Sequence, residues 1–107
     1  MVEIPNEVKK MLKKIAEKFK PEKIYLFGSR AVGKAKKDSD WDFIIVSKKF
    51  RTLDGYNRAV RVYKLSKGEF AFDVLCFTPE EFEQKKKEPS LISAAVEQNA
   101  LIEISKG

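Results

Sequence analysis

The chain has 107 residues, with 22 Lys and Arg against 16 Asp and Glu, a formal charge of +6 and no histidine. That length suits a single domain over residues 1–107, burying about two-thirds of its unfolded surface, with no room for a separate substrate domain. The lack of histidine excludes histidine triads and histidine metal sites, and the single Cys76 excludes an internal disulfide or a cysteine-rich zinc site.

The positive excess suits an anionic ligand such as a nucleotide, although lysine-rich helix faces also serve solubility. Lys and Glu abound while amides are confined to Asn6, Asn57, Gln84, Gln98 and Asn99, the bias of thermophile proteins. The opening Met-Val-Glu-Ile-Pro is no signal peptide, and no apolar run approaches about 18 residues. A cytoplasmic chain without a membrane span is therefore expected.

Residues 6–20 carry Val8, Met11, Leu12, Ile15, Ala16 and Phe19 at helical spacing, with Asn6 as cap and Pro21 as stop. A short apolar strand follows over 23–27 and runs straight into Gly28-Ser29. The small, basic stretch 29–36 is compatible with a short helix, and 36–39 reads as a polar loop. Residues 41–47 form a second strand, with 43–46 apolar on both faces. A helix is expected over 52–67, where Tyr56, Ala59, Val60 and Tyr63 fit the period and Gly68 stands at the C-terminal glycine position.

A third strand covers 69–77. Thr78-Pro79-Glu80-Glu81 then opens a helix, with Thr78 as cap, Pro79 as first helical residue and Glu81 as capping-box partner. Pro89 ends it, Ser90 caps another helix to about Glu97, and residues 100–104 read as a last short strand. The alternation of helices and strands predicts an α/β sandwich around a small sheet. Cys76, in an apolar run, reads as a buried small side chain.

Chemistry concentrates in Gly28-Ser29-Arg30-Ala31-Val32-Gly33 and in Ser39-Asp40-Trp41-Asp42. A strand that ends in Gly-Ser and turns presents backbone N–H groups to phosphate. Glycine permits close approach, and the Ser29 hydroxyl adds a donor. Asp40 and Asp42 are two apart at the start of a strand, so both carboxylates face one side and Trp41 the other. Paired carboxylates repel unless a cation lies between them, and an oxygen-only donor set suits Mg²⁺ or Mn²⁺. Asp73, in an otherwise apolar strand, is costly unless paired or metal-bound. It completes a three-carboxylate set if its strand neighbours the second, and pairs with a lysine otherwise. Such a set can hold two metal ions. Ser39-Asp40 is also good turn chemistry, but a plain polar turn leaves Asp42 and Asp73 unexplained.

Gly-Ser-x-Ala-x-Gly, a short basic loop and Ser-Asp-x-Asp together resemble the signature of the minimal nucleotidyltransferases, within the polymerase-beta-like nucleotidyltransferase superfamily. The resemblance spans essentially the whole chain, including the Asp73 strand and the Thr-Pro-Glu-Glu-Phe helix. It implies an α/β (α+β) fold with a small mixed sheet flanked by helices, and Mg²⁺ as cofactor. It implies Asp40 and Asp42 as the catalytic metal-binding pair and Asp73 as the third carboxylate, which activates the acceptor hydroxyl. It also implies Gly28 and Ser29 as the nucleotide-binding pair, with Arg30 beside them on phosphate. Val32 departs from the many relatives that carry a basic residue there.

Small members of this group are often encoded beside an all-helical HEPN-domain toxin, acting as antitoxins, in some cases by attaching AMP to a toxin tyrosine. The resemblance thus implies ATP or another nucleoside triphosphate as substrate and a HEPN-domain protein as partner. Nucleic acid is not expected as a direct substrate, because no element interleaves aromatic and basic residues as a stacking platform. An interaction protein that neutralises its partner by binding alone is the competing reading. A transferase for small molecules would usually need a further domain for its acceptor.

Overall fold

The structure is a computed structural model that describes residues 3–68 and 70–104. Helix α1 (Asn6–Phe19) buries Val8, Met11, Leu12, Ile15 and Phe19, the stripe its sequence spacing demands. Asn6 is its first helical residue rather than its cap. Pro5, at φ −61° and ψ 158°, stands at the cap position without a side-chain hydrogen bond. Its fixed φ pre-sets the entry, and its carbonyl accepts from the Lys9 N–H. Lys20 closes the helix in the left-handed region before Pro21.

Strand β1 (Lys23–Phe27) pairs antiparallel with β2 (Trp41–Val46), and β2 pairs parallel with β3 (Phe72–Phe77). A two-residue β4 (Ile102–Glu103) adds to the far side of β1, giving the order β3-β2-β1-β4. The expected third strand over 69–77 is shorter, and residue 69 lies outside the described residues. The last strand, expected over 100–104, also shrinks, because only Tyr25 and Leu26 offer it partners.

The parallel β2–β3 pair needs a crossover, which runs through a 3₁₀ helix (Lys48–Thr52) and α2 (Gly55–Ser66). The 3₁₀ turn was not expected. It forms because the buried Ser47 donates its hydroxyl to the Phe19 carbonyl at 2.5 Å and accepts from the Lys49 N–H. Asp54 caps α2 by accepting from the Asn57 N–H. At its end, Lys67 already takes the left-handed conformation before Gly68.

Two helix layers enclose the sheet. On one face α1 and α2 pack against Ile24, Leu26, Phe43, Ile45, Phe72 and Val74. On the other, Phe82 of α3 (Pro79–Lys87) and Ile92 of α4 (Leu91–Glu97) cover Ile44 and Val46, flanked by the half-buried Tyr25, Phe27, Leu75 and Phe77. The Thr78–Glu81 capping box forms as expected. Among the described residues, no helix is long and apolar enough to cross a membrane.

Candidate functional site

The site residues gather at one end of the sheet, where β1 finishes and β2 and β3 begin. Phe27 of β1 is the register partner of Asp42, so Gly28 leaves the sheet directly beside that carboxylate. Gly28 has φ +76°, and a Cβ there would stand 2.4 Å from the Asp42 Oδ2. Only glycine meets both demands, the left-handed backbone and the close approach.

Residues 29–36 do not form a helix. Gly28 O accepts from the N–H groups of Ala31 and Val32, and Ser29 O accepts from the Lys34 N–H at 2.9 Å. With Gly33 at φ +75°, this is a single turn closed by a Schellman-type bond. The glycine that ends the motif therefore stops the helix after one turn. Among the described residues, the N–H groups of Ser29 and Arg30 find no acceptor within the chain. They are the donors that a turn of this kind offers to an anion.

Arg30, expected on phosphate, is instead engaged within the loop. Its Nε and Nη2 donate to the Ser39 carbonyl at 3.1 and 2.6 Å, and Nη2 also reaches the Lys37 carbonyl at 3.4 Å. Its guanidinium lies 4.3 Å over the Trp41 ring. Trp41 points into the α1–α2 face and stacks on Phe43, so Arg30 sits on Trp41's side of the strand. Its hydrogen bonds join the Gly-Ser turn to the segment that delivers Asp40. The Ser39 hydroxyl, accepting from the Lys36 N–H at 2.8 Å, tightens the same segment.

The parallel register places Asp42 opposite Asp73. Alternation along β2 and β3 sends both side chains to the α3–α4 face, opposite Trp41, Phe43, Phe72 and Val74. The Asp42 carboxyl is pushed above the usual carboxylate range, first by burial, then by the charges of Asp73 and Asp40. The two strands thus hold three like charges within mutual influence, an arrangement that a divalent cation would relieve. As placed, no three acidic or cysteine side chains among the described residues converge closely enough to grip a metal ion. The donor chemistry nonetheless fits one: oxygen ligands only, from adjacent positions on one face.

One residue beside this site escaped the sequence reading. Tyr63 of α2 packs its ring on Phe72 at 4.7 Å, and its hydroxyl faces the Asp73 carboxylate and the Val74 N–H. Its phenol is raised above the ordinary value by burial first and by Asp73 second. Tyr63 was legible only as one more helical position, because its proximity to Asp73 depends on how α2 lies across β3. Cys76 behaves as expected of a buried thiol, burial pushing it up to about 12.

A glycine-led turn pressed against strand carboxylates, on a mixed sheet with helices on both faces, defines the class: this is the polymerase-beta-like nucleotidyltransferase fold. Within that class, the chain belongs to the nucleotidyltransferase domain family, whose model matches residues 8–106. Among solved structures it resembles a candidate nucleotidyltransferase from Sulfolobus solfataricus, with a TM-score of 0.60 and 25% identity over 73% of this chain and 69% of that one. Arabidopsis thaliana BolA1 aligns with a TM-score of 0.58 and 24% identity, covering 73% of this chain and 98% of that one. The BolA domain of Arabidopsis thaliana SufE1 gives the same TM-score at 16% identity, covering 74% and 99%. These two likenesses concern the fold alone, which does not carry function with it. Comparison with the curated proteins returns no match.

Proposed function

We propose that this chain is a single-domain, metal-dependent nucleotidyltransferase that moves a nucleotide, AMP from ATP, to an acceptor hydroxyl on a partner protein. The observation that carries the reading is the Asp42–Asp73 register, with the Gly28 backbone set against Asp42. Divalent metal, Mg²⁺ held by Asp40, Asp42 and Asp73, would neutralise the triphosphate and the departing pyrophosphate. The N–H groups of Ser29 and Arg30, with the Ser29 hydroxyl, hold phosphate oxygens at the turn. The Arg30 guanidinium is a positioning group, fixing the turn to the Asp40 segment through Ser39. Asp73 accepts the proton of the acceptor hydroxyl as its oxygen bonds to the α-phosphorus and the bond to pyrophosphate breaks.

The partner of choice is a HEPN-domain toxin carrying an acceptor tyrosine, with the present chain as cytoplasmic antitoxin. The small size of the chain supports this, because an acceptor site can be supplied by a second protein. The test is co-expression with the adjacent reading frame, purification and incubation with labelled ATP and Mg²⁺. Label should pass to the partner and be lost with Asp40→Ala and Asp42→Ala. Transfer that survives both changes, or full neutralisation by the double variant, would remove these residues from the mechanism.

A further inference from the structure

The Tyr63 hydroxyl occupies the place that an acceptor hydroxyl would need. β3 is an edge strand, so one row of its backbone groups has no strand partner. Helix α2 runs along that edge and lays Tyr63 over Phe72, the residue before Asp73. The hydroxyl then reaches round the edge to the Val74 N–H and the Asp73 carboxylate. Covering an edge N–H would account for the first contact. It does not account for the second, since a solvated carboxylate gains little from a phenol and the fold could keep them apart. Tyr63 is also 39% exposed, so a ligand can reach its oxygen.

We infer that Tyr63 is a self-modification site: in the absence of a partner, its hydroxyl accepts the nucleotide from a nucleoside triphosphate bound against Asp42 and Asp73. The inference rests on the nucleotidyltransferase reading above and names a substrate for that same site. The Tyr63 oxygen attacks the α-phosphorus, forming a phosphodiester to the ring. The bond from that phosphorus to the β,γ-pyrophosphate breaks, pyrophosphate leaves with its electron pair, and the phenolic proton passes to Asp73. Nothing is oxidised or reduced. A hydroxyl held at the proton acceptor needs no encounter step, which is the advantage of an intramolecular acceptor.

The other tyrosines sharpen the assignment. Tyr25 is half-buried and stacked on Phe82 at 5.5 Å. Tyr56 is far more exposed, at 78%, but lies about two helical turns before Tyr63, roughly 10 Å along the axis. Labelling governed by exposure would choose Tyr56, and labelling governed by position at Asp73 would choose Tyr63.

The experiment takes the full purified chain with Mg²⁺ and ATP and follows intact mass, then maps the modified residue by tandem mass spectrometry. Calorimetry on the same preparation measures Mg²⁺-dependent ATP binding. One nucleoside monophosphate on Tyr63, gained at a rate independent of protein concentration, is the expected result. Tyr63→Phe should abolish the mass gain, and Tyr56→Phe should keep it. ATP binding without a covalent adduct overturns the inference and leaves the transferase reading standing. Absence of both binding and adduct overturns the two together. An adduct on Tyr56 or on a lysine, or a rate that rises with protein concentration, also overturns it. Because the site is mapped in the wild-type chain, the conclusion does not depend on how well the Tyr63→Phe variant folds.

Discussion

Asp42 is where fold and function pull against each other. Its carboxyl is raised by burial and by Asp73 and Asp40, so the folded protein binds that proton more tightly than the unfolded chain does. A group of this kind contributes stability that is present below its unfolded value and lost as pH rises through its folded value. Metal-free protein should therefore lose some stability as pH climbs above the ordinary carboxylate range. At neutral pH, Asp42→Asn removes a directly opposed like charge, a cross-strand effect of about 0.2–1 kcal/mol. Thermal melts in EDTA should show the variant more stable than the wild type, while added Mg²⁺ should stabilise only the wild type. A variant that melts lower in EDTA would show that Asp42 serves packing rather than cation binding. The Asp40–Asp42 pair is legible from strand alternation alone, and Asp73 becomes so once β3 is known to adjoin β2. Arg30 was not, since a motif places a residue in a loop without saying which carbonyls that loop returns to it.

Arg58 does for the elements what Asp42 does for the site. Only 8% exposed, it leaves α2 and donates Nε to the carbonyls of Phe50 and Leu53 at 2.9 and 2.7 Å. Its Nη1 reaches the Cys76 carbonyl and the Glu81 carboxylate at 3.2 and 2.6 Å. One guanidinium thus joins the 3₁₀ turn, α2, the end of β3 and the start of α3. The Glu81 carboxyl is held below its usual range, chiefly by that Arg58 hydrogen bond. A lowered acid contributes stability that is present above its unfolded value and lost as pH falls through its folded one. Arg58→Ala should cost about 2–3 kcal/mol, because buried carbonyls and a carboxylate lose a charged donor. Urea unfolding should show a lower midpoint at unchanged slope, and a smaller loss in acid, where Glu81 is already protonated. Glu103→Ala, which breaks an exposed pair with Lys23, should leave the midpoint nearly where it was.

The same contrast explains which elements the sequence announced. Helix α1, strand β2 and the Thr78 cap carry their own patterns in periodicity, a run of apolar residues, and a capping box. The 3₁₀ turn depends on Ser47 meeting Phe19, and the single turn after Gly28 depends on Gly33 closing it early. Those choices are made by contacts distant in sequence or by one backbone conformation, so local pattern could not report them. Glu81 shows the mixed case. Its capping role was readable three residues from Thr78, but its pairing with Arg58, 23 residues away, was not.

At the scale of the molecule, a chain of net charge +6 gathers its carboxylates at the one place proposed to receive a polyanion. Triphosphate alone would meet Asp40, Asp42 and Asp73 as like charges, and Mg²⁺ alone would meet carboxylates that stand too far apart to grip it. Each ligand supplies what the other needs, so their binding should be strongly and reciprocally coupled. A ligand that binds only the folded state at one hundred times its Kd adds about 2.7 kcal/mol. In a chain of this size that corresponds to a rise in Tm on the order of 10 °C. Melts over a grid of Mg²⁺ and ATP concentrations should place nearly all of that rise where both are present. Asp42→Asn should flatten it, since the cation then loses its most buried ligand. An equal rise with ATP in EDTA would point instead to phosphate collected by the lysine-rich surface. That attraction acts through solvent and should vanish in moderate salt, whereas a cation held between strand carboxylates and phosphate is screened far less.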